Sequence, residues 1–301
     1  MGPGHRPSRH RKAVKYCPPP VANPRKPKYR PPAGACDAHC HVFGPADKFP
    51  YAPGRSYTPV DVGKERLRAL HDHLGLERGV IVHPNCHGTD MAVTLDAIAT
   101  SDGLYKGIAV VDGSISDKEL ERLDKGGICG IRFNFVAHLG GTPDLEVFDT
   151  LLERIQPLGW HVVLHLDAQD VPEHAARISR IKVPFIIDHM GRVQARNGIE
   201  QKPFRTLMEL MKNPNAWVKI CGLERCSSSG PPFRDALPFA RTLLEAVPDR
   251  CLWGTDFPHP NVAVMPDDGD LVDLFAEITD DESLRRRVLV DNPQRLYRFT
   301  A

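Results

Sequence analysis

From Ala35 onward the chain alternates between two hydrophobic rhythms. Eight short runs are almost continuously apolar or β-branched: 35–43, 79–84, 106–111, 128–135, 161–167, 184–190, 216–222 and 251–256. Between them, apolar positions recur every three or four residues. Leu67, Leu70 and Leu74 mark one such stretch, and Leu145, Phe148, Leu151, Leu152 and Ile155 mark another. Leu207, Leu210 and Met211, then Leu237, Ala240, Leu243 and Leu244, mark two more. Spacings of three and four put side chains on one face of a helix, whereas short unbroken runs suit strands buried on both faces. Such strands alternating with amphipathic helices predict a parallel sheet in the α/β class. Eight units predict closure into a distorted (β/α)8 TIM barrel, for which about 250 residues suffice. Leu271, Leu274, Phe275 and Ile278, then Leu284, Val288 and Leu289, predict closing helices, and Asn292-Pro293 starts the last short one.

Residues 1–33 break the pattern. They carry nine Lys or Arg, no acid, and the proline clusters Pro18-Pro19-Pro20 and Pro31-Pro32. A segment so composed can bury little. We expect an N-terminal arm over 1–33, flexible or packed on a neighbouring subunit of a homo-oligomer, followed by the barrel over 34–301. The arm lacks the interleaved aromatics of a nucleic-acid binder, and the net charge of +1 favours no acidic partner. No run approaches 18 apolar residues and no apolar stretch opens the chain, so neither a membrane span nor a signal peptide is expected. The eight scattered cysteines form no pair of C-x-x-C motifs and suggest free thiols in a reducing, cytoplasmic setting.

In a barrel of this kind the chemistry belongs at the C-terminal strand tips. His39 and His41 end the first run, and His83, Asn85 and His87 follow the second. The fourth offers Arg132 and Asn134, the fifth His165 and Asp167, and the sixth Asp188, His189 and Arg192. Glu224 and Arg225 follow the seventh, and Asp256 and His259 the eighth. His161 starts its run at the opposite end, and His71 and His73 are expected on a solvated helix face. Neutral imidazoles with a carboxylate suit a divalent metal such as Zn2+, which lowers the pKa of a bound water to roughly 7. Asp256 could take that water's proton and return it to the leaving group. Arg132, Arg192 and Arg225 could grip a carboxylate or sulfonate through paired N–H donors.

Several motifs resemble the amidohydrolase superfamily over about residues 35–299. They are Asp37-Ala38-His39-Cys40-His41-Val42-Phe43-Gly44-Pro45, Cys86-His87-Gly88-Thr89-Asp90 and Gly130-Ile131-Arg132-Phe133-Asn134-Phe135. Ile187-Asp188-His189-Met190-Gly191-Arg192 and Trp253-Gly254-Thr255-Asp256-Phe257-Pro258-His259-Pro260 complete the set. The resemblance is closest to the 2-pyrone-4,6-dicarboxylate hydrolase branch. It implies a hydrolase acting on the ester bond of small anionic lactones in bacterial breakdown of aromatic compounds. It also implies that Asp256 is the general base and later acid, with Tyr57, Arg132, Arg192 and Arg225 at the substrate. Asn85, His87, His138 and His259 join them as candidate substrate-binding residues.

Two departures from that branch are informative. The branch carries a tyrosine where this chain has His165, and works without a metal. Metal-dependent relatives carry a histidine there. The resemblance therefore implies one Zn2+ or other divalent metal per subunit, held by His39, His41, His165 and Asp256, with His189 polarising the carbonyl or orienting the water. The branch also has an arginine where this chain has His138, so the anionic group recognised should differ. The similar 4-sulfomuconolactone hydrolases, which are metal-dependent, fit both departures. Hydrolysis of 4-sulfomuconolactone to maleylacetate and sulfite is the leading expectation. A metal-independent 2-pyrone-4,6-dicarboxylate lactonase is the alternative, and a metal-dependent decarboxylase or a non-enzymatic scaffold stands further back.

Overall fold

The computed structural model describes residues 15–299. Eight parallel strands form one sheet in chain order: β1 (Cys36–Cys40), β2 (Arg78–Val82), β3 (Tyr105–Ala109), β4 (Ile128–Asn134), β5 (His161–His165), β6 (Phe185–Ile187), β7 (Ala216–Lys219) and β8 (Cys251–Leu252). Backbone hydrogen bonds bring the two edges together. Ala38 N donates to Trp253 O at 2.9 Å, Asp256 N to His39 O at 2.7 Å, and His41 N to Phe257 O at 2.8 Å. Gly254 makes this seam possible, because a Cβ there would lie 2.3 Å from His39 N. The result is the (β/α)8 barrel that the alternating pattern predicts.

The helices cover the outside with the predicted faces. Helix Leu145–Ile155 buries Phe148, Leu151 and Ile155, and Asp144 caps it by accepting from Glu146 N and Val147 N. A second, smaller apolar cluster fills the bore: Cys36 and Ala38 from β1, Val80 and Val82 from β2, Ile108, Val163, Ile186, Trp217 and Leu252. Leu296, Tyr297 and Phe299 plug it beside His161, at the strands' N-terminal end.

β1 departs from regular pairing. Asp37 pairs with Gly79 and Cys40 with Ile81, so β1 holds one more residue than β2 across that interval. Such a bulge reverses which face alternate residues take. Cys36 and Ala38 face the bore, but Cys40 joins the outer core. His39 and His41 are thereby turned inward together. His71 differs from its expected place on a solvated face. It is fully buried, with Nδ1 2.8 Å from Tyr105 OH and Nε2 3.2 Å from Asp37 Oδ2. The buried Asp37 carboxylate also takes the Thr255 hydroxyl and backbone N–H, which ties β1 to the segment after β8.

Residues 15–33 lie against the barrel of the same chain. Lys15–Tyr16 pairs in parallel with Tyr57–Thr58, and Arg25 reaches Asp270 and Asp273 on helix Asp268–Ala276. The first fourteen residues of the expected arm lie outside the described residues. Among the described residues no helix is long and apolar enough to cross a membrane.

Candidate active site

The C-terminal strand tips converge on one small cavity. Its walls are His41, Tyr57, Pro84, Asn85, Arg132, His138, Leu139, His165, His189, Arg225, Asp256, Pro260 and Asn261. The free space is about 30 Å³, room for a water and too little for a lactone ring. His138 and Leu139 enter its wall from the turn Ala137–Leu139.

Asp256 occupies the centre. Arg225 Nε donates to its Oδ2 at 2.6 Å, and a second guanidinium nitrogen contacts the same oxygen. Its Oδ1 lies 3.2 Å from His41 Nε2 and 3.4 Å from His39 Nε2. Burial pushes the Asp256 carboxyl up, but the Arg225 guanidinium against it outweighs burial and holds it well below the usual carboxylate range. Asp256 is thus a carboxylate at neutral pH, with Oδ2 engaged and Oδ1 turned to the imidazoles.

Each imidazole is oriented by what its other nitrogen meets. His41 Nδ1 lies 2.6 Å from Val82 O, a carbonyl that can only accept, so Nδ1 carries the proton. His165 Nδ1 lies 2.9 Å from Asn134 Oδ1, and Asn134 donates in turn to Asn85 at 3.2 Å. Both rings therefore keep an Nε2 lone pair. Burial drives the pKa values of His39 and His165 well below the ordinary value and that of His189 to about 3. Burial and the nearby Arg192 bring His138 to about 4, so in the wall it is a neutral hydrogen-bonding group.

His189 arrives by an unusual route. The sixth apolar run stops being a strand at Ile187, and His189, Met190, Gly191 and Arg192 all take positive φ, between 49° and 63°. Such a run of left-handed residues costs energy and is kept where surrounding structure over-determines it. Gly222, at φ 76°, leaves room for the ring, since a Cβ there would lie 2.6 Å from His189 Nδ1.

Beneath the cavity lies a charged floor. Asp188 forms ion pairs with Arg132 at 2.9 Å and with Lys219 at 3.0 Å, and its Oδ1 stands 3.4 Å from His39 Nδ1. Lys219 Nζ is also 3.0 Å from His39 Nδ1. Lys219 was missing from the sequence-derived candidates, although a lysine inside an otherwise apolar strand was the available signal. A buried ammonium must be paired. The Nε of Arg132 is buried without a hydrogen-bond partner.

Of the thirteen residues expected at the site, the cavity wall brings together His41, Tyr57, Asn85, Arg132, His138, His165, His189, Arg225 and Asp256. His39 lies just behind them. His87 is turned into the loop below, where Nε2 accepts from Gly44 N and Nδ1 meets Pro50 O, each at 3.2 Å. His259 is buried against Asp268 at 3.0 Å, and Arg192 leans on Asp167 at 3.2 Å. Among potential metal ligands, His39, His189 and Asp256 have donor atoms within 4.8 Å of one another, while His41 and His165 stand outside that group.

Comparison with known proteins agrees with this architecture. The sequence model of the amidohydrolase family matches residues 36–299. A 2-pyrone-4,6-dicarboxylate hydrolase from Comamonas testosteroni is 46% identical over 289 residues, covering 92% of this chain and 94% of that protein. A 4-sulfomuconolactone hydrolase from Hydrogenophaga intermedia is 43% identical over 270 residues, covering 88% and 89%. The apo crystal structure of an Agrobacterium tumefaciens protein superposes with a TM-score of 0.81 at 29% identity, covering 91% of this chain and 99% of that one.

Proposed function

The chain belongs to the amidohydrolase family, and on that premise we propose that it hydrolyses a small anionic lactone formed in the breakdown of aromatic compounds. The observation that carries the proposal is Asp256. An ionised carboxylate presents one oxygen to a cavity lined by neutral imidazoles, beside an arginine whose Nε has no partner. That is a general base next to an anion cradle. Relatives named for two lactones support the substrate class. We place 4-sulfomuconolactone first, because His138 stands neutral in the wall and His165 shares the site. 2-Pyrone-4,6-dicarboxylate is second.

A divalent cation, taken here as Zn2+, is the proposed cofactor, one per subunit, with His39, His41, His165 and Asp256 as its ligands. The donor set fits. His41 and His165 hold their Nδ1 protons on oxygen acceptors, which leaves Nε2 free as metal-binding imidazoles require. The His41 lone pair faces the Asp256 carboxylate at 3.2 Å, an arrangement that a cation or proton would relieve. A bound cation would supply an acidified water and a polarised lactone carbonyl.

The chain's own residues do the rest. Arg132, Arg225 and Arg192 hold the anionic groups and fix the ring against the floor. Asp256 Oδ1 takes a proton from the attacking water as oxygen adds to the lactone carbonyl. The acyl carbon–ring oxygen bond then breaks, and Asp256 returns the proton to the departing oxygen. In 4-sulfomuconolactone that oxygen sits on the carbon bearing the sulfonate, so the freed hydroxysulfonate expels sulfite and becomes a ketone. All eight cysteines are free, which supports a cytoplasmic setting.

Purified enzyme offered the two lactones side by side, with and without added Zn2+, tests this reading. Ring opening of either supports a lactonase, and sulfite release ranks the first. Release of CO2 in place of ring opening would move the enzyme to the decarboxylases. Inertness toward both lactones at every metal condition would refute the proposal.

A further inference from the structure

Lys219 is fully buried at the end of β7, with its ammonium 3.0 Å from His39 Nδ1 and 3.0 Å from Asp188 Oδ1. An ammonium has three donors and no lone pair, so Lys219 must donate to His39. Nδ1 of His39 is then the bare nitrogen, and the proton of the neutral ring sits on Nε2. That Nε2 is buried, lacks a well-formed hydrogen bond and points to Asp256 Oδ1 at 3.4 Å. His41 and His165 are held the other way, with the proton on Nδ1 and the lone pair on Nε2. His39 is therefore in the opposite tautomer from two of its neighbours at the site.

We propose that Lys219 is a positioning residue that locks His39 as an Nε2–H donor toward Asp256, so that His39 can bind a metal only after Lys219 gives up Nδ1. Asp188 supplies the alternative partner, because its Oδ1 lies 3.4 Å from the same nitrogen. When the ammonium withdraws, the ring proton moves from Nε2 to Nδ1 and is accepted by Asp188. The Nε2 lone pair then faces the cavity. No proton is gained or lost overall. The pair Lys219 and Asp188 thus selects between a donor form and a ligand form of His39, and the shorter contact favours the donor form. Asp188 is also held by Arg132 at 2.9 Å, which keeps its carboxylate in place through the exchange. The metal half of this inference rests on the lactonase reading, whereas the tautomer does not.

The test uses the full chain, depleted of metal by a chelator and labelled with 15N at histidine. Long-range 1H–15N spectra report which ring nitrogen carries the proton, and His39 is identified by the signals missing from His39→Gln. The wild type should show the Nε2–H form at His39, and Lys219→Met should show the Nδ1–H form. Zn2+ titration should show Lys219→Met binding about tenfold or more tightly, the range over which partners of metal ligands tune affinity. An Nδ1–H form of His39 in the wild type overturns the proposal and needs no variant to fold. The same tautomer in both proteins also overturns it. A switched tautomer with unchanged zinc affinity overturns the metal half alone. Failure to open any lactone would count against the proposed activity and leave the tautomer result standing.

Discussion

Single residues decide most of the chemistry at this site, and they were unequally legible. His39, His41, His165 and Asp256 each fall at a strand tip, and the resemblance to metal-dependent relatives is what singles them out as a set. Lys219 and Asp188 form its buried counter-charge, and that pairing depends on two strands meeting, which no local pattern shows. His87 and His259 illustrate the converse. Both follow strand ends in the sequence, yet each is used by backbone or by a buried acid. His165→Tyr should lose bound zinc, read by metal analysis of protein purified without chelator. Stoichiometric zinc in that variant would remove His165 from the ligand set. His259 gives a pH prediction. Burial alone would lower its pKa, but Asp268 outweighs burial and raises it. A raised folded-state value means protonation favours folding. The contribution is full below the unfolded value and fades as pH climbs through the folded one. The Tm gap between wild type and His259→Asn should be widest below about pH 6 and narrow above the ordinary imidazole range. A gap that is constant or widens with pH would contradict this.

At the level of elements, the two periodicities located all eight strands and several helices, missed Ala92–Ala99, Asp117–Lys125 and Asp170–Ile178, and could not fix phase. Nothing in Cys36-Asp37-Ala38-His39-Cys40-His41 announces the extra residue that turns both histidines inward. The bulge depends on how β1 pairs with β2. The sixth run likewise reads as strand through Met190, but its last residues turn left-handed and deliver His189 to the cavity. Gly222 marks the space that this turn needs. Gly222→Ala should cost roughly 1–2 kcal/mol for the left-handed backbone, and should lower activity further by displacing His189. A variant with wild-type Tm and turnover would show that the loop absorbs a Cβ without moving the ring.

For the whole molecule, barrel closure was legible from eight units, while the seam that closes it was not. Gly254, Asp37 and Thr255 make that seam through contacts spanning more than 200 residues of chain. The basic composition of the first 33 residues suggested a flexible or subunit-bridging arm. Of that arm, residues 15–33 lie along their own barrel, with Arg25 between two aspartates and Tyr29 beside Phe275 at 6.2 Å. Acids on helix Asp268–Ala276 meet the base of the arm, and only the fold shows that they are near. Removing residues 1–33 should lower Tm, because a strand pairing and these contacts go together. An unchanged Tm would show that the arm adds nothing to the stability of the barrel.

In the proposed reaction Asp256 drives water onto an anionic lactone. The most direct measurement follows 4-sulfomuconolactone by absorbance while sulfite is counted in the same reaction. Lactone loss with equimolar sulfite is expected, slowed in Asp256→Asn by about 10²–10⁴-fold, the usual weight of a general base. An intact lactone at high wild-type enzyme concentration, or full turnover by Asp256→Asn, would contradict it.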